Sequence, residues 1–109
     1  MITCFIQYDL DPTKKAEFRE YARNWGIAIP RCGAELIGYF EPHEGSANLA
    51  YGVYTIKSLA DYELYRVKLA ADPVGKENYA FAQREKFIRS ETRTFLKLAS
   101  NPHGDHSKL

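Results

Sequence analysis

The turn between the second and third strand candidates holds the one histidine that precedes the C-terminal tail. His43 stands next to Glu44 in the segment 38–45, and Gly45 ends the turn. An imidazole beside a carboxylate suits general acid–base catalysis near neutral pH. We therefore predict His43 as a catalytic residue. An exposed polar turn is the structural alternative, because adjacent turn residues often point apart and no nucleophile is set by the spacing.

Tyrosine is unusually frequent, with eight residues among 109. A buried tyrosine needs a partner for its hydroxyl, so such residues often line pockets or interfaces. We predict a pocket between helices and sheet for a flat organic molecule, with Tyr54 as a second catalytic residue and Trp25 and Tyr39 as ligand-binding residues. Helical spacing alone indicates core positions, so core and dimer contacts are the alternative. The full aromatic set is Tyr21, Trp25, Tyr39, Tyr54, Tyr62 and Tyr65.

The last strand candidate carries a charged row. Arg89, Glu91 and Arg93 share one register with Phe87 and Phe95. A buried ion-pair row of this kind can orient an anionic ligand, because the arginine fork matches a carboxylate. An inter-subunit salt bridge, or a charged edge that prevents aggregation, explains the same pattern. We predict Arg93 as the anion anchor.

Two cysteines support no disulfide framework. Cys4 lies in an alternating apolar run and is predicted to be a small buried side chain. Cys32 is predicted to be a free loop cysteine beside Pro30 and Gly33, without chemistry of its own. A reactive thiolate is the alternative, because the adjacent Arg31 would lower the pKa of Cys32.

Several classes of function are excluded by composition and motif. Fifteen basic and fourteen acidic residues leave a net charge of +1, so no nucleic-acid partner is predicted. No apolar run approaches the roughly 20 residues of a membrane span, and no secretory signal is recognised, which together predict a cytoplasmic protein. His103 and His106 offer too few ligands for a metal site, and no phosphate-binding glycine loop occurs. We expect no metal and no cofactor.

The elements that position these residues follow the order β-α-β-β-α-α-β. Alternation of apolar and polar residues predicts the strands, and Asp11-Pro12, Ser58 and Asp72-Pro73 predict the three helix starts. Pro30, with Gly33, is predicted to stop the first helix. The expected strands cover residues 2–9, about 34–41, about 48–56 and 87–98, and the third helix ends near residue 85.

This order predicts an α+β fold, the split βαβ plan of ferredoxin-like domains, with helices on one face of a four-stranded antiparallel sheet. The domain covers residues 1–98, and residues 99–109 are expected to form a disordered tail. Both registers of the second and third strands carry large apolar side chains. A single copy would expose one of them, so we predict a homodimer that packs sheet against sheet.

Three segments, MITCFIQY at 1–8, GYFEPHEG at 38–45 and IRSETRTFL at 88–96, resemble bacterial NIPSNAP-domain proteins. The resemblance spans residues 1–98 and implies a dimeric α/β-barrel built from ferredoxin-like subunits. The wider group with this assembly includes cofactor-free oxygenases, small-molecule isomerases and haem-binding enzymes, and mitochondrial relatives are associated with adaptor roles. We expect an oxygenase- or isomerase-like protein acting on a small molecule. A ligand-binding dimer without turnover and an interaction module are the alternatives.

Overall fold

The chain folds into a four-stranded antiparallel sheet with three α-helices on one face, as seen in a computed structural model that describes residues 1–102. The strand order is β2-β3-β1-β4, and the central pair is β3 and β1. The predicted ferredoxin-like order of elements is confirmed. The elements are β1 Ile2–Leu10, a short 3-10 helix Pro12–Lys14, α1 Lys15–Arg31, β2 Glu35–Phe40, β3 Leu49–Ile56, α2 Leu59–Ala71, α3 Pro73–Glu85 and β4 Ile88–Leu96.

At each predicted helix start, the side chain of the predicted first residue accepts hydrogen bonds from backbone amides. Asp11 accepts a hydrogen bond from the Thr13 amide at 2.9 Å and opens the 3-10 turn that leads into α1. Ser58 accepts one from the Asp61 amide at 3.1 Å and opens α2. Asp72 accepts two, from the first-turn amides of α3. These caps satisfy amides that have no partner within the helix, which is why short polar residues specify the starts.

α1 ends at Arg31, between the two residues predicted to stop it. Pro30 lies inside the last turn of the helix rather than beyond its end, and Gly33 follows the C-cap Cys32 with a φ of +108°. The proline lacks only the amide that would have bonded to Gly26, a loss of one hydrogen bond that the last turn tolerates.

Cys32 is the C-cap of α1 rather than a loop residue, and its amide bonds to the carbonyls of Ala28 and Ile29. Its side chain is buried. Burial, followed by the nearby Asp72 carboxylate, raises the pKa of Cys32, and Arg31 opposes this without reversing it. The expected lowering of the Cys32 pKa is therefore wrong.

The two faces of the sheet differ in burial but not in apolar character. The face under the helices buries side chains such as Ile6, Ala50 and Tyr54. The predicted presence of large apolar groups on both registers is confirmed, because the open face is also rich in them. Its exposed members are Phe5, Phe40, Leu49, Tyr51 and Leu96.

The charged row on β4 is broken by an irregularity in its pairing with β1. The register shifts by one residue at Arg89, which lies exposed outside the ladder, while Phe87 precedes the strand and is fully buried. Glu91 and Arg93 both turn toward the helices, yet neither makes an ion pair with any group of residues 1–102. The interpretation as an intramolecular ion-pair row is therefore wrong.

Candidate functional site

A cavity of about 260 Å³ lies between the covered face of the sheet and the helices. All four strands and all three α-helices contribute to its lining. Its chemical character comes from phenol groups, because seven of the eight tyrosines of the chain line it. They are Tyr8, Tyr21, Tyr39, Tyr54, Tyr62, Tyr65 and Tyr79.

The floor of this tyrosine pocket is made by alternate residues of the strands. Tyr8 of β1, Tyr39 of β2 and Tyr54 of β3 all point toward the helices, as the period of two requires. Gly52 has no side chain there, and the ring of Tyr39 occupies the space, since an added Cβ would lie 2.7 Å from Tyr39 Cε1. The hydroxyls of Tyr8 and Tyr39 share a hydrogen bond of 3.3 Å.

Trp25, the single tryptophan, forms the wall from α1. Its ring contacts those of Tyr21 and Tyr79 edge-on, at centroid distances of 5.5 and 5.1 Å. The indole Nε1 is buried and has no hydrogen-bond partner among the described residues. Burial raises the pKa of Tyr21 to about 12, and the neighbouring indole N–H opposes that rise without reaching hydrogen-bond geometry. An unpaired buried N–H costs about 1–3 kcal/mol, which an acceptor on a ligand can recover.

The exposed side of the pocket carries its charges. Arg93 donates from Nη1 to the Tyr62 hydroxyl at 3.3 Å, and the Arg66 guanidinium lies 5.8 Å above the same ring. Glu91 is the third charged residue of the lining. The lining itself holds two guanidinium groups and one carboxylate, and Arg66 also pairs with Glu63 outside the lining at 3.9 Å. Arg93 keeps donors free for an anion, because it pairs with no carboxylate of residues 1–102.

Six phenols of the pocket have a raised pKa. Burial raises the pKa of Tyr54, and the neighbouring Cys4 thiol raises it further. Burial is also the leading cause for five other tyrosines of the lining. A phenol with a raised pKa stays protonated at neutral pH, so it stabilises a developing oxyanion rather than removing a proton. The tyrosines with raised pKa are Tyr8, Tyr21, Tyr39, Tyr54, Tyr65 and Tyr79.

The structure brings together four of the five residues predicted for the site. Trp25, Tyr39, Tyr54 and Arg93 all line the tyrosine pocket. His43 does not: it is exposed in the loop between β2 and β3, and it is absent from the lining. The predicted catalytic pair His43 and Tyr54 is therefore not assembled in this pocket.

Tyr8 and Tyr79 line the pocket but were not predicted as site residues. Tyr8 shares the register of Cys4 and Ile6, and this alternation was a usable signal for a place on the covered face. Tyr79 carried no such signal, because its contact with Trp25 depends on how α3 packs on α1.

Two expectations from the sequence concern metal sites and membrane-spanning helices. Within residues 1–102, no three His, Cys, Asp or Glu side chains are grouped so that they can hold a metal ion. The pair His103 and His106 lies outside the described residues. None of the described helices is both long enough and apolar enough to span a bilayer.

Comparison with known proteins identifies relatives of this chain. A model of the NIPSNAP family matches residues 3–102. Among curated proteins, no match was found.

Solved structures give the same relationship. A NIPSNAP family protein of unknown function from Agrobacterium tumefaciens is 24% identical with a TM-score of 0.77, over 94% of this chain and 92% of that one. A second NIPSNAP family protein from the same bacterium is 30% identical with a TM-score of 0.72, over 93% and 89%. A proposed antibiotic biosynthesis monooxygenase from Nitrosomonas europaea is 10% identical with a TM-score of 0.70, over 92% and 100%, which is a likeness of fold alone.

Proposed function

The chain belongs to the NIPSNAP family, and we propose that it binds and transforms a small planar organic anion in the tyrosine pocket. The observation that carries the proposal is the lining: seven phenols, an unpaired indole N–H and an arginine without a carboxylate partner surround one cavity of about 260 Å³. An engineered cavity of about 150 Å³ in another protein holds benzene, so there is room for a compound of one or two rings.

The chemistry that suits this lining is of the oxygenase or isomerase kind. A carboxylate of the substrate binds the free donors of Arg93, and an oxygen of its ring system accepts hydrogen bonds from the neutral phenols. Donors placed in this way favour an enolate or phenolate over its neutral parent. The fold shared with the Nitrosomonas protein supports an oxygenase as one of the two reaction classes.

Binding of 2-naphthoate and of its neutral analogue 2-naphthalenemethanol tests the proposal. The chain has one indole N–H, so a single ¹H–¹⁵N resonance reports occupation of the pocket, and calorimetry measures affinity. We expect 2-naphthoate to bind more tightly than the alcohol. Arg93→Met should weaken 2-naphthoate about 10- to 100-fold, because a charge-assisted hydrogen bond is worth about 1.5–3 kcal/mol, and should leave the alcohol unchanged.

Arg89→Met is the matched control, since Arg89 is exposed on the same strand and does not line the pocket. It should bind 2-naphthoate as the wild type does. An indole resonance that does not move at millimolar 2-naphthoate, or equal binding by Arg93→Met and the wild type, would contradict the proposal.

The same proposal includes a homodimer that joins the open faces of two sheets. Phe5, Phe40, Leu49, Tyr51 and Leu96 are each between 36% and 51% exposed on that face. Soluble monomers rarely expose a contiguous apolar surface of this kind. Two copies packed face to face, with a two-fold axis between the paired sheets, would bury this surface in both copies. The helices and the tyrosine pocket lie on the other face, so the association leaves each pocket open.

An interaction module is the second candidate, and one observation favours it. The outer side of α2 carries Leu64 and Val67, which are 62% and 70% exposed, in a stripe completed by Ala60 and Ala71. This stripe stays exposed when the open sheet faces pair, as a surface for another protein would. Such a module requires no ligand in the tyrosine pocket, so the naphthoate titration separates the two functions.

A further inference from the structure

One carboxylate lines the tyrosine pocket within the described part of the chain, and it belongs to Glu91. Glu91 lies on β4 beside Tyr8 of β1, two residues before Arg93 on the same face of the strand. It makes no hydrogen bond and no ion pair with any group of residues 1–102. A carboxylate that holds nothing in place at the mouth of a pocket is free to act on a bound molecule.

The remaining lining groups offer no base. Among residues 1–102, the lining contains no histidine, lysine, aspartate or cysteine, and burial raises the pKa of tyrosines such as Tyr54 and Tyr39, which keeps them protonated. The arginine side chain has no hydrogen-bond acceptor and cannot take up a proton. Carboxylates are common general bases in enzymes. Within the described part of the chain, Glu91 therefore supplies the one carboxylate of the lining that could serve as a base.

Resting on the proposed function, we propose that Glu91 is the general base of the tyrosine pocket and that the substrate is an enolisable ring ketone with a carboxylate. A Glu91 oxygen takes the proton from the carbon next to the ketone. The C–H bond breaks and an O–H bond forms on Glu91. The C–H electron pair becomes the C=C bond of an enolate, while the π pair of the C=O bond moves onto the ketone oxygen. Where the substrate ring also carries a C=C bond next to the deprotonated carbon, Glu91 returns the proton to the far carbon of that bond, the enolate oxygen becomes a ketone again, and the substrate is isomerised.

The surroundings of Glu91 fit this role. The other charged groups of the lining are Arg93 on β4 and Arg66 on α2, so a substrate carboxylate is attracted to the pocket although Glu91 repels it. The uncharged groups that face Glu91 are phenols, which donate hydrogen bonds to an enolate oxygen. They come from β1, α1 and α3 and are Tyr8, Tyr21 and Tyr79, on each of which Glu91 acts electrostatically.

Deuterium exchange into 2-tetralone-6-carboxylate tests the assignment. The carbon between its ring and its ketone has acidic protons, and their loss in D₂O is followed by ¹H NMR. We expect the wild type to accelerate the exchange above the rate in buffer. Glu91→Gln should lower the accelerated rate about 10²- to 10⁴-fold, as expected for loss of a general base, with affinity for the ketone within about threefold. Glu91→Asp, which keeps the carboxylate on a shorter stem, should restore part of the rate.

Glu77→Gln is the matched control, because Glu77 is exposed on α3 and pairs with Arg84 at 3.3 Å away from the pocket lining. It should exchange at the wild-type rate. If the wild type does not bind the ketone, the proposed function fails and the role of Glu91 fails with it. If the ketone binds but exchanges no faster than in buffer, or if Glu91→Gln remains as fast as the wild type, the assignment of Glu91 alone is overturned.

Discussion

Gly52 makes room for the floor of the tyrosine pocket, and Gly52→Ala tests that relationship. A Cβ at this position would lie 2.7 Å from Tyr39 Cε1 and 2.8 Å from Tyr39 Cζ. Ordinary contact begins at 3.4 Å, so the ring must retreat by about 0.7 Å. The hydroxyl of Tyr39 would then separate from that of Tyr8, whose hydrogen bond is already 3.3 Å long.

The expected cost follows from two opposing effects. Overpacking of a well-filled site costs about 1–3 kcal/mol. Replacing glycine in a strand recovers about 0.5–1 kcal/mol, because alanine loses less backbone freedom on folding. The midpoints of these ranges are about 2 and about 0.75 kcal/mol, so we expect Gly52→Ala to lower the free energy of unfolding by about 1 kcal/mol.

Urea unfolding followed by Trp25 fluorescence measures this change, at equal protein concentrations because the proposed dimer would make stability depend on concentration. Gly26→Ala is the control: Gly26 lies in α1 with no atom within 4 Å of an added Cβ, so alanine should raise stability by about 0.5–1 kcal/mol. In a Tyr39→Ala background, the cost of Gly52→Ala should disappear. A cost that persists without the Tyr39 ring, or no cost in the wild type, refutes the steric explanation.

Two further predictions concern acid stability and assembly. Arg31 binds Asp72 with two hydrogen bonds of 2.8 Å and is the main reason that the pKa of Asp72 is lowered from 3.8 to about 2. The contribution of this carboxylate to stability is present above pH 3.8 and is lost as the pH falls through 2. The urea midpoint of Asp72→Asn should therefore change less with pH in this window than the urea midpoint of the wild type. An equal change with pH in both proteins would refute the prediction. Tyr51→Glu places a charge on the open sheet face, so it should convert the proposed dimer to a monomer in sedimentation at micromolar concentration. Val67→Glu on α2 is the control and should not change the sedimentation. A monomeric wild type would refute the dimer.

The order of elements was predictable because its signals are local. Ser58 and Asp72 cap helices through amides two or three residues away, so the residue types alone identify the starts. The last residue of α1 is less sharply defined by local rules. Pro30 disfavours a helix interior, but near the end of a helix it removes only one hydrogen bond, so α1 runs one residue past it to Arg31 and ends before Gly33.

The site was predictable where residue type and strand register suffice. Tyr39, Tyr54 and Arg93 reach the pocket because alternate strand residues share a face. The place of Glu91 in the pocket lining was not predicted, because the ion-pair interpretation assumed an unbroken register through Arg89 and therefore depended on tertiary pairing. His43 illustrates the opposite error, since nearness to another polar group in sequence does not bring a side chain to a cavity formed by distant elements.

The composition of the tyrosine pocket argues for a function beyond packing. A core built for stability alone would use leucine and phenylalanine, which have no polar atoms to satisfy. Here phenols converge on one cavity, and the N–H of Trp25 is left without a partner among the described residues. Each unpaired buried donor costs about 1–3 kcal/mol, so this arrangement lowers the stability of the empty protein. A ligand that accepts these hydrogen bonds removes the cost only when it is bound, and local departures from optimal stability of this kind are characteristic of functional sites.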